Sequence, residues 1–156
     1  MLDIDDIIEL VDLIAENLYE HTDELPSKIL LNIVGELLKK LVNETEYLNE
    51  RDFPKRSSPT HLRVVIRRLI QTKHLPEEYR SLCFMLSALL VCLLDFHWFE
   101  SDPQFVVLLA ALTDVQIRMV LDNPKLIKIE ELIECATLGE SFIECVELGE
   151  FLDDER

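Results

Sequence analysis

From Leu82 to Leu94 thirteen residues pass without a charge: Leu-Cys-Phe-Met-Leu-Ser-Ala-Leu-Leu-Val-Cys-Leu-Leu. An ordinary strand is about 5–6 residues long, and a membrane-spanning helix needs about 20 apolar residues. The run is too long for the first and too short for the second. It reads as a helix apolar on every face, and such a helix belongs in the middle of a fold. The rest of the chain then has to be arranged so as to bury it.

A length of 156 residues suits one domain with a real core. Three glycines and six prolines are too few for the turns of an all-β fold. The expected fold is all-α: a single-domain bundle over residues 1–156, of six or seven helices around a buried hydrophobic helical hairpin. A first helix spans 2–20, with Ile4, Ile7, Val11, Ile14 and Leu18 at 3-4 spacing. Pro26 opens a second, which turns Leu30, Ile33, Leu37, Leu38 and Leu41 to the core and ends before Arg51. Residues 51–59 hold two prolines and no periodicity, and read as a loop. A third helix, 60–73, has Leu62, Val65, Ile66 and Leu69 as its apolar stripe, with Arg63, Arg67 and Arg68 off it.

Pro76 opens the fourth helix, which contains the apolar run and reaches toward Phe99. Ser101 and Gln104 have the form of a capping box for a fifth helix, apolar from Phe105 to Leu112. Thr113 and Gln116 form a second box, which predicts a break near Asp114; Asn123-Pro124 stops the helix. A sixth helix runs to Leu138 and closes at Gly139. Ser141 and Glu144 form a third box, opening a last helix to about Leu152. The fourth and fifth helices make the central hairpin, and its surplus apolar surface suggests a homodimer.

The net charge of −16 is unevenly placed. Residues 1–50 carry −10, residues 51–80 carry +5, and residues 81–156 carry −11. Two features follow: a basic loop and helix at 51–74, and acidic C-terminal helices at 125–152. The acid repels nucleic acid and anionic membrane over most of the surface and favours encounter with a basic protein. Its plainer account is solubility. The basic island, with Arg63, Arg67, Arg68 and Phe53 as a stacking group, suits phosphate or an acidic partner, or internal pairing with the chain's own carboxylates. Lys55-Arg56-Ser57-Ser58-Pro59 also has the form of a phosphorylation site, a pattern too common to bear weight.

The first residues, Met-Leu-Asp-Ile-Asp-Asp, lack the basic start of a secretory signal and the arginines of a mitochondrial one. The expectation is an intracellular protein, in cytoplasm or nucleus. Four cysteines, at 83, 92, 135 and 145, fit a reducing compartment. Cys83 and Cys92 lie on opposite sides of the fourth helix about 13 Å apart along its axis, too far for a disulfide, and read as small buried hydrophobes.

Catalytic patterns are absent from the sequence. Gly35, Gly139 and Gly149 cannot write a phosphate loop or a dinucleotide fingerprint. There is no Gly-x-Ser-x-Gly, no His-Glu-x-x-His and no Cys-x-x-Cys. None of His21, His61, His74 and His97 has a glutamate three positions before it, as a di-iron bundle requires. No cofactor is expected. The densest mixed cluster is Asp95, His97, Glu100 and Asp102 around Trp98, which suits a metal or a tuned base, or simply marks the wet end of the buried helix.

Near the C-terminus, Ile133–Glu140 matches Ile143–Glu150 at a ten-residue offset. Carboxylates crowd this end, and Glu134, Glu144 and Glu147 are the candidate partner-binding residues. The sequence therefore reads as a non-enzymatic acidic interaction module, an adaptor or inhibitor of a basic protein, with nucleic-acid mimicry as its sharper form. The alternatives are a metal-binding protein or enzyme centred on His97, and a self-associating structural subunit.

Overall fold

A computed structural model describes residues 3–21, 25–44, 53–123, 125 and 128–148. Six α-helices and no strand occur among them: α1 (Ile4–Glu20), α2 (Lys28–Val42), α3 (Ser57–Ile70), α4 (Glu77–Leu94), α5 (Pro103–Asp122) and α6 (Ile129–Leu148). Single 3₁₀ turns occupy Phe53–Lys55 and Asp95–Trp98. Arg51, Asp52, Pro124 and everything after Leu148, including the end of the second repeat copy, lie outside the described residues.

The all-α bundle follows from enclosing α4. Its buried residues, among them Cys83, Phe84, Leu86, Leu90, Val91 and Leu94, cover a little over half of its circumference, and Ser81 and Cys92 mark the exposed side. It packs against α2, α3 and α6, and one continuous core runs from Ile7 to Cys145. The two long apolar helices expected as a hairpin are both partly buried, but they share little contact with each other. α5 packs against α6 and α3 instead, and lies at the rim. Three sides of α4 are already covered, so a helix that is apolar in sequence is left largely open: α5 exposes Val107 (69%) and Leu121 (68%).

By length and composition, Glu77–Trp98 and Pro103–Asp122 are each long and apolar enough to cross a membrane; half of the first is buried inside the fold and 22% of the second. The helix around the Leu82–Leu94 run is longer than the charge-free run itself, because Glu77 and Glu78 sit at its first turn.

Elsewhere the elements differ from expectation for local reasons. α1 starts at an aspartate cap: Asp3 Oδ1 accepts from Asp6 N–H at 2.9 Å. α2 begins after Ser27, whose Oγ accepts from Ile29 N–H, and Pro26 precedes the helix. Leu37, Leu38 and Leu41 of α2 are buried as expected, but the first half of its inward face is phased one residue later: Leu31, Val34 and Gly35 are buried, whereas Leu30 is half-buried and Ile33 is 42% exposed. Apolar doublets at 30–31 and 33–34 permit both phases. The later one turns Gly35 toward α4, where a Cβ would stand 2.6 Å from Met85 Cε. Phe53 is fully buried, so it is a core residue and not a stacking group.

α5 is capped by Asp102, not Ser101. It continues through Asp114 without a break, because Thr113 donates back to Leu109 O at 2.8 Å and is buried. Gly139 and Ser141 likewise sit inside an unbroken α6, where Leu138, Ser141 and Cys145 pack inward.

α4 ends at Asp95, which has φ 57° and ψ −164°, a region that non-glycine residues occupy at a cost of about 1–3 kcal/mol. The reversal drives Phe96 and Trp98 into the core, and Trp98 Nε1 donates to Pro59 O at 2.9 Å. It also aims Asp102 at α3. Asp102 Oδ1 accepts from Phe105 N–H at 3.2 Å, while its carboxylate pairs with Arg67 at 3.0 Å. One side chain thus caps α5 and ties it to α3. Replacing Asp102 by Ala removes both and should lower the unfolding free energy by about 2–4 kcal/mol, as read from urea denaturation; a loss below about 0.5 kcal/mol would mean that the tie is idle.

Candidate interaction surface

The candidate residues fall in two separate places. Arg63, Arg67 and Arg68 lie on α3 and face inward contacts. Arg63 Nη1 donates to Trp98 O at 2.8 Å, and its Nε stands 3.9 Å from Asp102. Arg67 bonds Asp102 and also Gln104. Arg68 donates to Tyr19 O at 2.9 Å and lies over the Tyr19 ring, which stacks on His61. Arg56, just before α3, pairs with Asp12 of α1 at 2.7 Å. Of the uses the sequence allowed for the basic island, the geometry realises internal pairing and helix-to-helix ties.

The His97 cluster is dispersed in the same way. His97 Nδ1 is 3.0 Å from Glu100, but Asp102 belongs to the arginines and Asp95 is turned to solvent. Among the described residues no group of three His, Cys, Asp or Glu side chains is placed to hold a metal. An open cleft of about 250 Å³ adjoins His97, lined also by Arg63, Thr60 and Ser101. All four cysteines are free. Cys83 is buried, and its thiol is pushed up to about 12 by that burial, so it stays protonated and inert. Cys92, expected inside, is exposed, on the side of α4 where Thr137 of α6 is its hydrogen-bonding neighbour.

Glu134, Glu144 and Glu147 all lie on α6, but in different surroundings. Glu134 is half-buried and faces the bundle; burial, with Glu131 and Glu130 nearby, raises its carboxyl to about 7 against the opposing pull of Lys39. Glu144 is half-buried and Glu147 exposed. Between Ile129 and Leu148 the helix carries six glutamates and no cation.

The outward side of α6 holds a feature that the sequence reading missed. Ile129, Leu132, Ala136, Gly139, Ile143 and Val146 follow strict 3-4 spacing and lie on one stripe. That stripe faces solvent: Ile129 is 72% exposed and Ile143 and Val146 60% each. Glu140 and Glu147 run along its free edge, while Cys135 and Phe142 on the other edge pack against the core. The pattern is visible in sequence only once α6 is taken as a single helix. Placing a stop at Gly139 cut the stripe in two.

Comparison with known proteins adds no family: no family model matches the chain, and neither a characterised protein nor a solved structure is significantly similar to it.

Two outcomes follow from α6. A Cβ on Gly139 would meet nothing within 4 Å, so Gly139→Ala should stabilise the protein by up to about 1 kcal/mol through helix propensity alone, measured by denaturant titration. Glu134 has the opposite sign from a salt-bridged acid. Its raised pKa makes the folded state bind the proton more tightly, so its contribution is present below the ordinary value of 4.5 and is lost as pH rises through about 7. At about pH 8 the Glu134→Gln variant should therefore melt about 2–4 °C above wild type, a gain of about 1 kcal/mol after allowing for solvent screening. The difference should vanish near pH 4.

Proposed function

We propose that this protein is a non-enzymatic helical interaction module that works inside the cell by binding a basic protein, as an adaptor or inhibitor. The observation that carries the reading is the one-sided charge of α6: six glutamates without a cation, on a helix whose outward apolar stripe is exposed among the described residues. The arginines of α3, by contrast, are already engaged by Asp102, Gln104 and backbone carbonyls. α1 likewise carries its acids without a cation in the helix, but Leu13 is its one large apolar side chain more than half exposed, so α6, which has an exposed apolar stripe beside its acid, is where a basic partner gains most. The apolar stripe beside the acid favours a protein partner over mimicry of a nucleic-acid backbone, which would present charge alone.

Self-association is a second reading, favoured by the exposed apolar face of α5. Salt separates the two, because screening weakens contact between acid and base and strengthens contact between acid and acid. Affinity capture from the native cell, followed by measurement of association rates with the captured protein, tests the first reading. Wild type should retain a basic protein at low salt and release it near 1 M, where the Debye length is about 3 Å. Replacing Glu140, Glu144 and Glu147 by Gln should slow association about tenfold or more and flatten the salt dependence, with little change in dissociation. Recovery of the same proteins by both forms would defeat the reading, and salt-strengthened dimerisation in light scattering would favour the second.

A further inference from the structure

The geometry points to a specific occupant for the outward face of α6: an amphipathic helix that lays an apolar stripe against Ile129, Leu132, Ile143 and Val146 and sets lysines or arginines against Glu140 and Glu147. This rests on the reading of the protein as an acidic interaction module, and it adds where the partner binds and what form it takes.

Three observations select a helix. The stripe has the 3-4 spacing by which one helix meets another along its length. It runs from residue 129 to residue 146, about 26 Å at 1.5 Å per residue, which matches a partner helix of about 18 residues. Its middle is small: Ala136 and Gly139 stand between large residues at either end, and the space in front of Gly139 is open. That gap admits a large side chain from the opposite helix close to the α6 backbone. A glycine inside a helix weakens it, and among the described residues no neighbour approaches Gly139 to require one.

Charge selects a basic helix. α6 carries no cation between Ile129 and Leu148, so a second copy of this face packed antiparallel would bring Glu140 and Glu147 against carboxylates, and packed parallel would set them against the edge of Cys135 and Phe142, with no cation to meet them in either case. The chain as a whole, at −16, opposes the same pairing. A partner with lysine or arginine along one edge of its apolar stripe relieves the like-charge crowding on α6 and gains directional contacts with Glu140 and Glu147.

The test uses the full chain and synthetic helix-forming peptides of about 18 residues. One carries leucine at the 3-4 positions and lysine and arginine on the flanks. A second keeps the leucines and has glutamate flanks. A third keeps the basic residues and replaces the leucines with serine. Fluorescence anisotropy should show the first binding at least about tenfold more tightly than either control. Gly139→Leu, which fills the gap, and the double variant Leu132→Ser with Ile143→Ser should each weaken that binding about tenfold or more while circular dichroism and melting stay near wild type.

Equal binding of the serine peptide would leave a basic partner standing but remove the apolar seam, and the inference would fail alone. Binding of the glutamate-flanked peptide, or sedimentation showing a dimer that the same substitutions dissolve, would overturn the basic occupant in favour of an uncharged helix or a second copy. Association with phosphatidylserine vesicles that depends on Leu132 and Ile143, without peptide binding, would overturn it in favour of a lipid surface. If none of the peptides binds, the helix-on-helix mode is wrong, and capture of a basic protein then decides separately whether the broader reading survives.

Discussion

A helix without a polar face has to be enclosed, and the arrangement of this protein follows from enclosing α4. Its buried positions face α2, α3 and α6 at once, so these three helices are fixed as its cover. Gly35 lets α2 come close, with only the tip of Met85 in the way. Asp95 accepts an unfavourable backbone conformation so that the chain leaves α4 sharply and Trp98 and Phe96 close its end. α5 comes next in the chain but finds the sides of α4 taken. Its place at the rim, held by Asp102 to the arginines of α3, is a consequence of who covers α4.

Charge is organised around the same cover. The acids nearest the basic island have partners: Asp12 meets Arg56, and Asp102 meets Arg67. Those ties are between elements distant in sequence, and they link α1, α3 and the start of α5. α6 differs. It packs its inner side through Leu138, Ser141 and Cys145, yet within its own length no cation balances its glutamates. Glu134 shows the strain of this arrangement, since burial among other carboxylates raises its pKa to about 7. The acid thus collects on two helices that hold no cation of their own, α1 and α6, and only on α6 does it lie beside an exposed apolar stripe.

The elements whose packing is simple were legible from spacing alone. Val11 and Leu18 of α1, and Leu62, Val65, Ile66 and Leu69 of α3, are buried where their 3-4 pattern puts them. The misreadings share a cause, which is that local signals were taken without the tertiary contacts that override them. Thr113 and Ser141 look like caps but lie buried inside helices, and Thr113 bonds back along its own helix. Gly139 looks like a stop, but Leu138 and Cys145 on either side of it both pack inward and carry the helix through. Contact between α4 and α5 is slight for a related reason: hydrophobicity says that a helix has something to bury, and not which neighbour is free to bury it. For the candidate surface, composition pointed to α6 through its acid, while the apolar stripe stayed hidden behind the supposed break.

That stripe bears on how α6 is to be understood. A glycine in mid-helix, like charges at neighbouring turns and large apolar side chains in water each disfavour α6 as an isolated helix. The glycine and the exposed apolar side chains lie away from the side that holds it to the bundle, and of the like charges Glu134 faces the bundle. The inward side is ordinary core, with Leu138 fully buried and Cys145 nearly so. Requirements of the fold account for Leu138, Ser141 and Cys145 on that side, whereas the outward apolar residues have no such role among the described residues, although both belong to the same twenty residues. Solubility could account for the glutamates, but it would select against Ile129, Ile143 and Val146 beside them. Contact with a basic amphipathic helix accounts for the acid, the apolar residues and the open space at Gly139 together, because such a contact needs an attractive edge, an apolar seam and room for the two backbones to approach.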